Sequence, residues 1–156
     1  MLTLLPNVID HDLRQEIMKL KAGLNRSAWE NLPMPQIVDM VREHAPVTTK
    51  GKSYWNLECR GKGHGWHYDG CKPDMSPNHM SWCSWSAVSL ISDPSTFEGG
   101  YFEYDEGDGQ VQRLKDELYG SLLIYPSGAH NNPLWHQATA HTGADRWVLL
   151  MFFAEE

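Results

Sequence analysis

Basic charge is scarce in this chain: 13 Lys and Arg stand against 20 Asp and Glu, a formal net charge of −7. That deficit argues against a sequence-independent grip on a phosphate backbone, so no nucleic-acid partner is expected. Cysteine is scarce as well. Cys59, Cys71 and Cys83 form no CxxC pair, which excludes a zinc ribbon or a redox dithiol. An odd number of thiols reads as reduced, and with it comes the expectation of a cytoplasmic protein. No stretch approaches the roughly 18 apolar residues of a membrane span, so no membrane partner is expected. The N-terminus lacks a basic leader and reaches Pro6 and Asp10 before any long apolar run, which does not read as a signal peptide.

What is present is an ordinary globular composition, 41% hydrophobic and 21% charged, over 156 residues, about the length of one domain. Eight histidines and seven tryptophans stand out. Asp10 is placed to cap a helix whose apolar positions are Leu13, Ile17, Leu20 and Leu24, with Gly23 near its end. Pro35 suits the first turn of a second helix carrying Ile37, Val38, Met40 and Val41 and ending before Pro46. Beyond it, Gly- and Pro-rich breaks separate short aromatic and β-branched runs, the pattern of strands joined by turns. Strands are expected near Tyr54–Arg60, Gly65–Asp69, Ser81–Ser92, Gly100–Tyr104, Gly120–Tyr125, Trp135–His141 and Arg146–Phe153. A tight turn is expected between Tyr104 and Gln110. Two helices followed by strands predict a mainly β sandwich or jelly roll backed by helices.

The sharpest local signal is Gly65-Trp66-His67-Tyr68-Asp69-Gly70. Residues two apart on a strand share a face, so His67 and Asp69 project together, as a pair of metal ligands or as an ordinary strand-end ion pair. Further on, His136 and Arg146 are ten residues apart, about 33 Å along one unbroken strand. The turn Thr142-Gly-Ala-Asp145 is expected to fold the last strand back antiparallel to its predecessor and return Arg146 to the neighbourhood of His136. Two imidazoles and a carboxylate on one face of Fe(II) leave three positions open. A 2-oxo acid chelates at two of them, O2 takes the third, and a guanidinium suits the acid's far carboxylate.

The ordered set of Gly65-Trp-His-Tyr-Asp69, Ser86-Ala-Val-Ser-Leu-Ile-Ser-Asp-Pro94, Phe97-Glu-Gly-Gly-Tyr-Phe-Glu103, Gly120-Ser-Leu-Leu-Ile-Tyr-Pro-Ser127, and His136 with Arg146 resembles the 2-oxoglutarate- and Fe(II)-dependent oxygenases, prolyl 4-hydroxylase-like branch. The resemblance covers roughly Tyr54 to the C-terminus. It implies a double-stranded β-helix of the jelly-roll or cupin kind with supporting N-terminal helices. One domain would span 1–156, with 1–46 as helical support and 54–154 as the jelly-roll core. It further implies iron held by His67, Asp69 and His136, with Arg146 on the C5 carboxylate of the co-substrate 2-oxoglutarate. O2 is consumed, and ascorbate is a candidate reductant. The implied reaction hydroxylates a C–H bond, with peptidyl-proline as first reading; a free amino acid or another small molecule is the alternative. A jelly-roll module that binds metal without catalysis and a zinc hydrolase are the remaining readings.

Two departures from the family pattern matter. A tyrosine usual before the His-x-Asp pair has Cys59 as its nearest counterpart, with Tyr54 or Tyr125 as substitutes. The loop Gly128–Trp135 is long, which makes His130 a rival for the distal ligand; His136 is favoured over His130 and His141 by its ten-residue offset to Arg146. Gly99-Gly100 reads as a loop bordering the site or a bulge. His64 reads as an exposed loop residue or a contact to the site, and His44 and His79 as surface residues. The acidic run Glu98–Asp108 reads as a hairpin tip. Trp66 and Trp135, flanking ligand positions, are candidate pocket walls. Cys71–Met80 and Gly128–Trp135 are the expected recognition surfaces for a peptide or small-molecule substrate. No oligomeric state can be read from the pattern.

Overall fold

Asp10 opens the helical part of the chain: its side chain accepts a hydrogen bond from the Leu13 amide at 2.9 Å, satisfying one of the free donors of the first turn. The computed structural model describes residues 2–22, 31–32, 34–48 and 53–156. Helix α1 runs His11–Met18 and tightens into a 3-10 turn over Lys19–Ala22. Gly23 and Leu24, the expected end of that helix, lie outside the described residues. Helix α2, Pro35–His44, begins with proline in its first turn and stops at Ala45, before Pro46. Among the described residues no helix is long and apolar enough to cross a membrane.

Among the described residues there are eleven strands: β1 Thr3–Leu5, β2 Ser53–Glu58, β3 His64–His67, β4 Trp85–Leu90, β5 Phe97–Gly99, β6 Phe102–Asp105, β7 Gln112–Leu114, β8 Leu122–Pro126, β9 Trp135–Ala138, β10 His141–Gly143 and β11 Val148–Phe153. A major sheet has the order β1-β8-β4-β11-β2, a minor sheet β3-β9-β6-β7, and β10 pairs with β5. All these pairings are antiparallel. The fold is mainly β, two antiparallel sheets with both helices packed on the major one, as expected of a jelly roll.

Alternation along the major strands separates two cores. Trp55 and Leu57 of β2, Leu122 and Ile124 of β8, and Leu149, Met151 and Phe153 of β11 face the helices, where they meet Ile17, Ile37 and Val41. The intervening positions Val88, Leu123, Tyr125 and Val148 face the minor sheet and pack with Phe97, Phe102 and Leu134. The alternate positions of β2 are Tyr54, Asn56 and Glu58, and they turn to the same inner side.

Several expected boundaries shift. The strand expected to run through Asp69 ends at His67, and the last strand starts at Val148 rather than Arg146. More consequentially, β11 does not fold back on its predecessor. It lies in the major sheet between β2 and β4, whereas β9 belongs to the minor sheet and β10 pairs with β5. The Thr142–Asp145 segment therefore carries the chain from one layer to the other. The physical reason is the burial of β11 on both faces, which only an interior strand of the major sheet receives. The turn expected between Tyr104 and Gln110 lies in the six-residue connection from β6 to β7. Asp105 organises it by accepting from the Gly107 and Gly109 amides.

Candidate metal centre

His67 and His136 are direct register partners on β3 and β9, so their imidazoles stand side by side on the inner face of the minor sheet, ring centroids 4.3 Å apart. Asp69, just past the end of β3, completes the group: its Oδ1 lies 3.1 Å from His67 Nε2 and 3.4 Å from His136 Nε2. The three ligand atoms all fall within 4.8 Å of one another. Both imidazoles are oriented in the same way. His67 Nδ1 donates to the Gly65 carbonyl at 2.6 Å and His136 Nδ1 to the Leu134 carbonyl at 2.8 Å. A carbonyl only accepts, so each Nδ1 carries a proton and each Nε2 is the nitrogen turned toward Asp69, the one that would bind a cation once it gives up any proton.

Two imidazole nitrogens and a carboxylate oxygen converge on one point, and a divalent cation fits the chemistry of that donor set. Burial alone would push the Asp69 carboxyl up, but the neighbouring His136 and His67 outweigh it and hold Asp69 well below the usual carboxylate range. Its other oxygen, Oδ2, accepts from the Ser86 hydroxyl at 2.7 Å and the Tyr125 hydroxyl at 3.0 Å. Phe102 stacks on His136 at 5.3 Å and fixes the ring from the apolar side.

These groups open into a cavity of about 420 Å³ whose walls include Val88, Phe102, Leu150 and Phe152. Arg146 lies in the same cavity. Its residue is only 6% exposed, and its Nε donates to the Gly100 carbonyl at 2.9 Å. Burial pulls its pKa down while Cys59 and Glu58 oppose the shift. Among the described residues it forms no salt bridge. A buried guanidinium without a carboxylate is costly, so its remaining donors suit an anionic ligand. Arg146 reaches the cavity from the major-sheet side, whereas His67 and His136 come from the minor sheet.

The structure thus brings His67, Asp69, His136 and Arg146 together and leaves both rival histidines out. His130 Nε2 pairs with Glu155 at 2.9 Å on the surface, and His141 sits against Phe97 with Cys59 Sγ 3.9 Å from its Nε2. Cys59 does not line the cavity; Tyr54 and Tyr125 both do, and Tyr125 touches Asp69. His64 is exposed, but on strand β3 rather than in a loop. A bulge sets four residues of β3 against three of β9 and turns His64 to the side of His67, where the rings stack at 3.9 Å. His79 also lines the cavity, with Asn78 and Met80 from the 71–80 segment; nothing from 128–135 does. Trp66 and Trp135 do not wall the cavity. They stack on each other at 6.1 Å, on the opposite face of the minor sheet from His67 and His136. The residues that went unnoticed in the sequence are Ser86 and Ser127, whose signal was a small hydroxyl inside an apolar run, a group that needs a partner when buried.

No protein-family model matches the sequence, and no curated protein does. Solved structures share the fold. A prolyl-4-hydroxylase from Pseudomonas putida superposes with a TM-score of 0.67 at 15% identity, over 99% of this chain and 86% of that one. A Trichoplax adhaerens prolyl hydroxylase, solved in complex with a peptide fragment of the hypoxia inducible factor oxygen degradation domain, gives 0.68 at 11% identity, over 99% and 83%. HygX from Streptomyces hygroscopicus, with nickel, 2-oxoglutarate and hygromycin B bound, gives 0.56 at 13% identity, over 99% and 82%. The chain therefore has the architecture of the 2-oxoglutarate oxygenase jelly rolls.

Proposed function

We propose that the protein is an Fe(II)- and 2-oxoglutarate-dependent dioxygenase that hydroxylates a C–H bond. The observation that carries this reading is the convergence of two imidazole nitrogens and one carboxylate oxygen in a cavity that also holds a buried arginine with no salt bridge among the described residues. A module that only stores metal has no use for that guanidinium, and a zinc hydrolase is told apart by the weak visible charge-transfer band that Fe(II) with 2-oxoglutarate gives under anaerobic conditions and zinc cannot. Similar structures include prolyl hydroxylases and also HygX, which is solved with nickel and 2-oxoglutarate bound.

In this reading His67, Asp69 and His136 hold the metal by one face. Bound iron, with O2 and 2-oxoglutarate, supplies the oxidising power that inserts one oxygen atom into the substrate while the oxo acid becomes succinate and CO2. The residues of the chain supply the rest. The carbonyls of Gly65 and Leu134 lock the imidazole orientation through Nδ1, the kind of outer contact that tunes a metal ligand. Arg146 anchors the far carboxylate of 2-oxoglutarate through its free donors. Val88, Phe102, Leu150 and Phe152 keep water from the space between the anchor and the metal. Ascorbate serves as reductant.

Peptidyl-proline is the first substrate reading, supported by the prolyl hydroxylase neighbours, one of them with a peptide bound. A cavity of about 420 Å³ is also of the size that encloses small molecules, and HygX carries hygromycin B, which supports a free amino acid or other small molecule as the second. The test is succinate formation from 2-oxoglutarate with Fe(II) and ascorbate, across proline-containing peptides and free amino acids. Stimulation by one class decides between the two readings. His67→Ala and Asp69→Ala are expected to abolish turnover; full activity in either sinks the assignment.

A further inference from the structure

Beneath Asp69 lie two hydroxyls that the proposed reaction does not itself require. Ser86 on β4 and Ser127 just past β8 are 0% and 1% exposed. A buried hydroxyl without a partner costs free energy, so the bonds these two make indicate their role. Ser86 Oγ donates to Asp69 Oδ2 at 2.7 Å. A hydroxyl has one hydrogen, so in the 2.5 Å contact between Ser86 and Ser127 the donor is Ser127. The chain of donation runs one way, from Ser127 to Ser86 to Asp69. Tyr125 donates its single hydrogen to the same Oδ2 at 3.0 Å.

The two oxygens of Asp69 are consequently unlike. Oδ2 receives two O–H donors to an ionised acceptor, the stronger class of hydrogen bond, whereas Oδ1 faces only the two imidazole nitrogens. We infer that the Ser127–Ser86 relay, with Tyr125, is a positioning device that holds Asp69 as a one-oxygen ligand through Oδ1. The inference rests on the metal-centre reading above. Without the relay the carboxylate turns about its Cβ–Cγ bond and offers both oxygens, filling a coordination position that co-substrate needs. Ser127 acts through Ser86, polarising the hydroxyl that touches the carboxylate.

Anaerobic titration of the metal-free protein with Co(II), without 2-oxoglutarate or substrate, tests this directly, because the visible Co(II) band reports coordination number as well as occupancy. Ser86→Ala is expected to weaken Co(II) binding about ten- to hundredfold and to alter the band. Tyr125→Phe, which keeps the shape of the side chain, should alter the band in the same sense, and Ser127→Ala should do so by less than Ser86→Ala. Near-UV circular dichroism verifies the fold of each variant; if Ser86→Ala does not fold, Tyr125→Phe and Ser127→Ala decide. Co(II) uptake by wild type with affinity and band unchanged in the folded variants overturns the positioning role and leaves the metal centre standing. A wild type that takes up no Co(II) overturns both.

Discussion

A guanidinium held in the interior on a backbone carbonyl, with no salt bridge among the described residues, is in an expensive state, and Arg146 occupies it. Expense at a buried residue points to a partner that arrives from outside. With 2-oxoglutarate as that partner, the fork of Arg146 makes charged hydrogen bonds worth about 1.5–3 kcal/mol each. Arg146→Gln keeps a donor and much of the stem but removes the charge. Steady-state kinetics on this variant should show an apparent requirement for 2-oxoglutarate raised about ten- to hundredfold. Metal affinity, measured separately, should stay near wild type, because Arg146 does not touch His67, Asp69 or His136. A variant with unaltered 2-oxoglutarate dependence removes the anchor role from this residue. At this scale the sequence was informative where chemistry is local. The His-x-Asp spacing and the isolated Arg before an apolar strand pointed to residues that the structure gathers into one cavity. The serines under Asp69 were hidden because a serine in a strand is ordinary until its partner, 17 residues back in the chain, is known. His130 could be set aside only in three dimensions, where Glu155 takes its Nε2.

Elements were legible in proportion to the length of their pattern. Both helices show their starts in single residues, Asp10 and Pro35, and the long strands β2, β4, β8 and β11 show theirs in aromatic and β-branched runs. The three-residue strands β1, β5, β7 and β10 are too short for alternation to register, and went unread. Partnership was the harder matter. The pattern of Val148–Phe153 identifies a doubly buried strand but not its neighbours, so a local hairpin was expected where the chain in fact changes sheets. That change of layer gives the segment joining β5 and β6 a demanding task. Gly100 has φ +69°, accepts from Arg146 Nε, and a Cβ there would lie 2.7 Å from Arg146 Cδ and 2.8 Å from the Phe97 ring. Gly100→Ala is expected to cost about 1–2 kcal/mol from the left-handed backbone alone. It should also displace Arg146, raising the 2-oxoglutarate requirement in the direction of Arg146→Gln. Denaturant unfolding and kinetics on the same preparation check both halves; a variant of wild-type stability would contradict the backbone argument.

For the molecule as a whole, the proposed metal is a cross-link between layers. His67 and His136 belong to the minor sheet, whereas the groups that hold Asp69 from behind, Ser86 and Tyr125, belong to the major one. A cation drawn to Oδ1 and both Nε2 atoms thus ties the two sheets at one end of the sandwich, while Arg146 reaches in from the major-sheet side. A ligand that binds only the folded state stabilises it by mass action, about 2.7 kcal/mol at a hundred times its Kd. For a domain of this size each kcal/mol moves Tm by about 2–4 °C, so saturating divalent metal should raise Tm by about 5–10 °C. Mn(II), which does not consume O2 during the scan, is the suitable probe, and a chelator should reverse the shift. Asp69→Ala removes the ligand common to both imidazoles and should abolish the metal-dependent part of the shift, whatever it does to the stability of the metal-free protein. An equal Mn(II)-dependent shift in Asp69→Ala would place the stabilising ion elsewhere on the molecule.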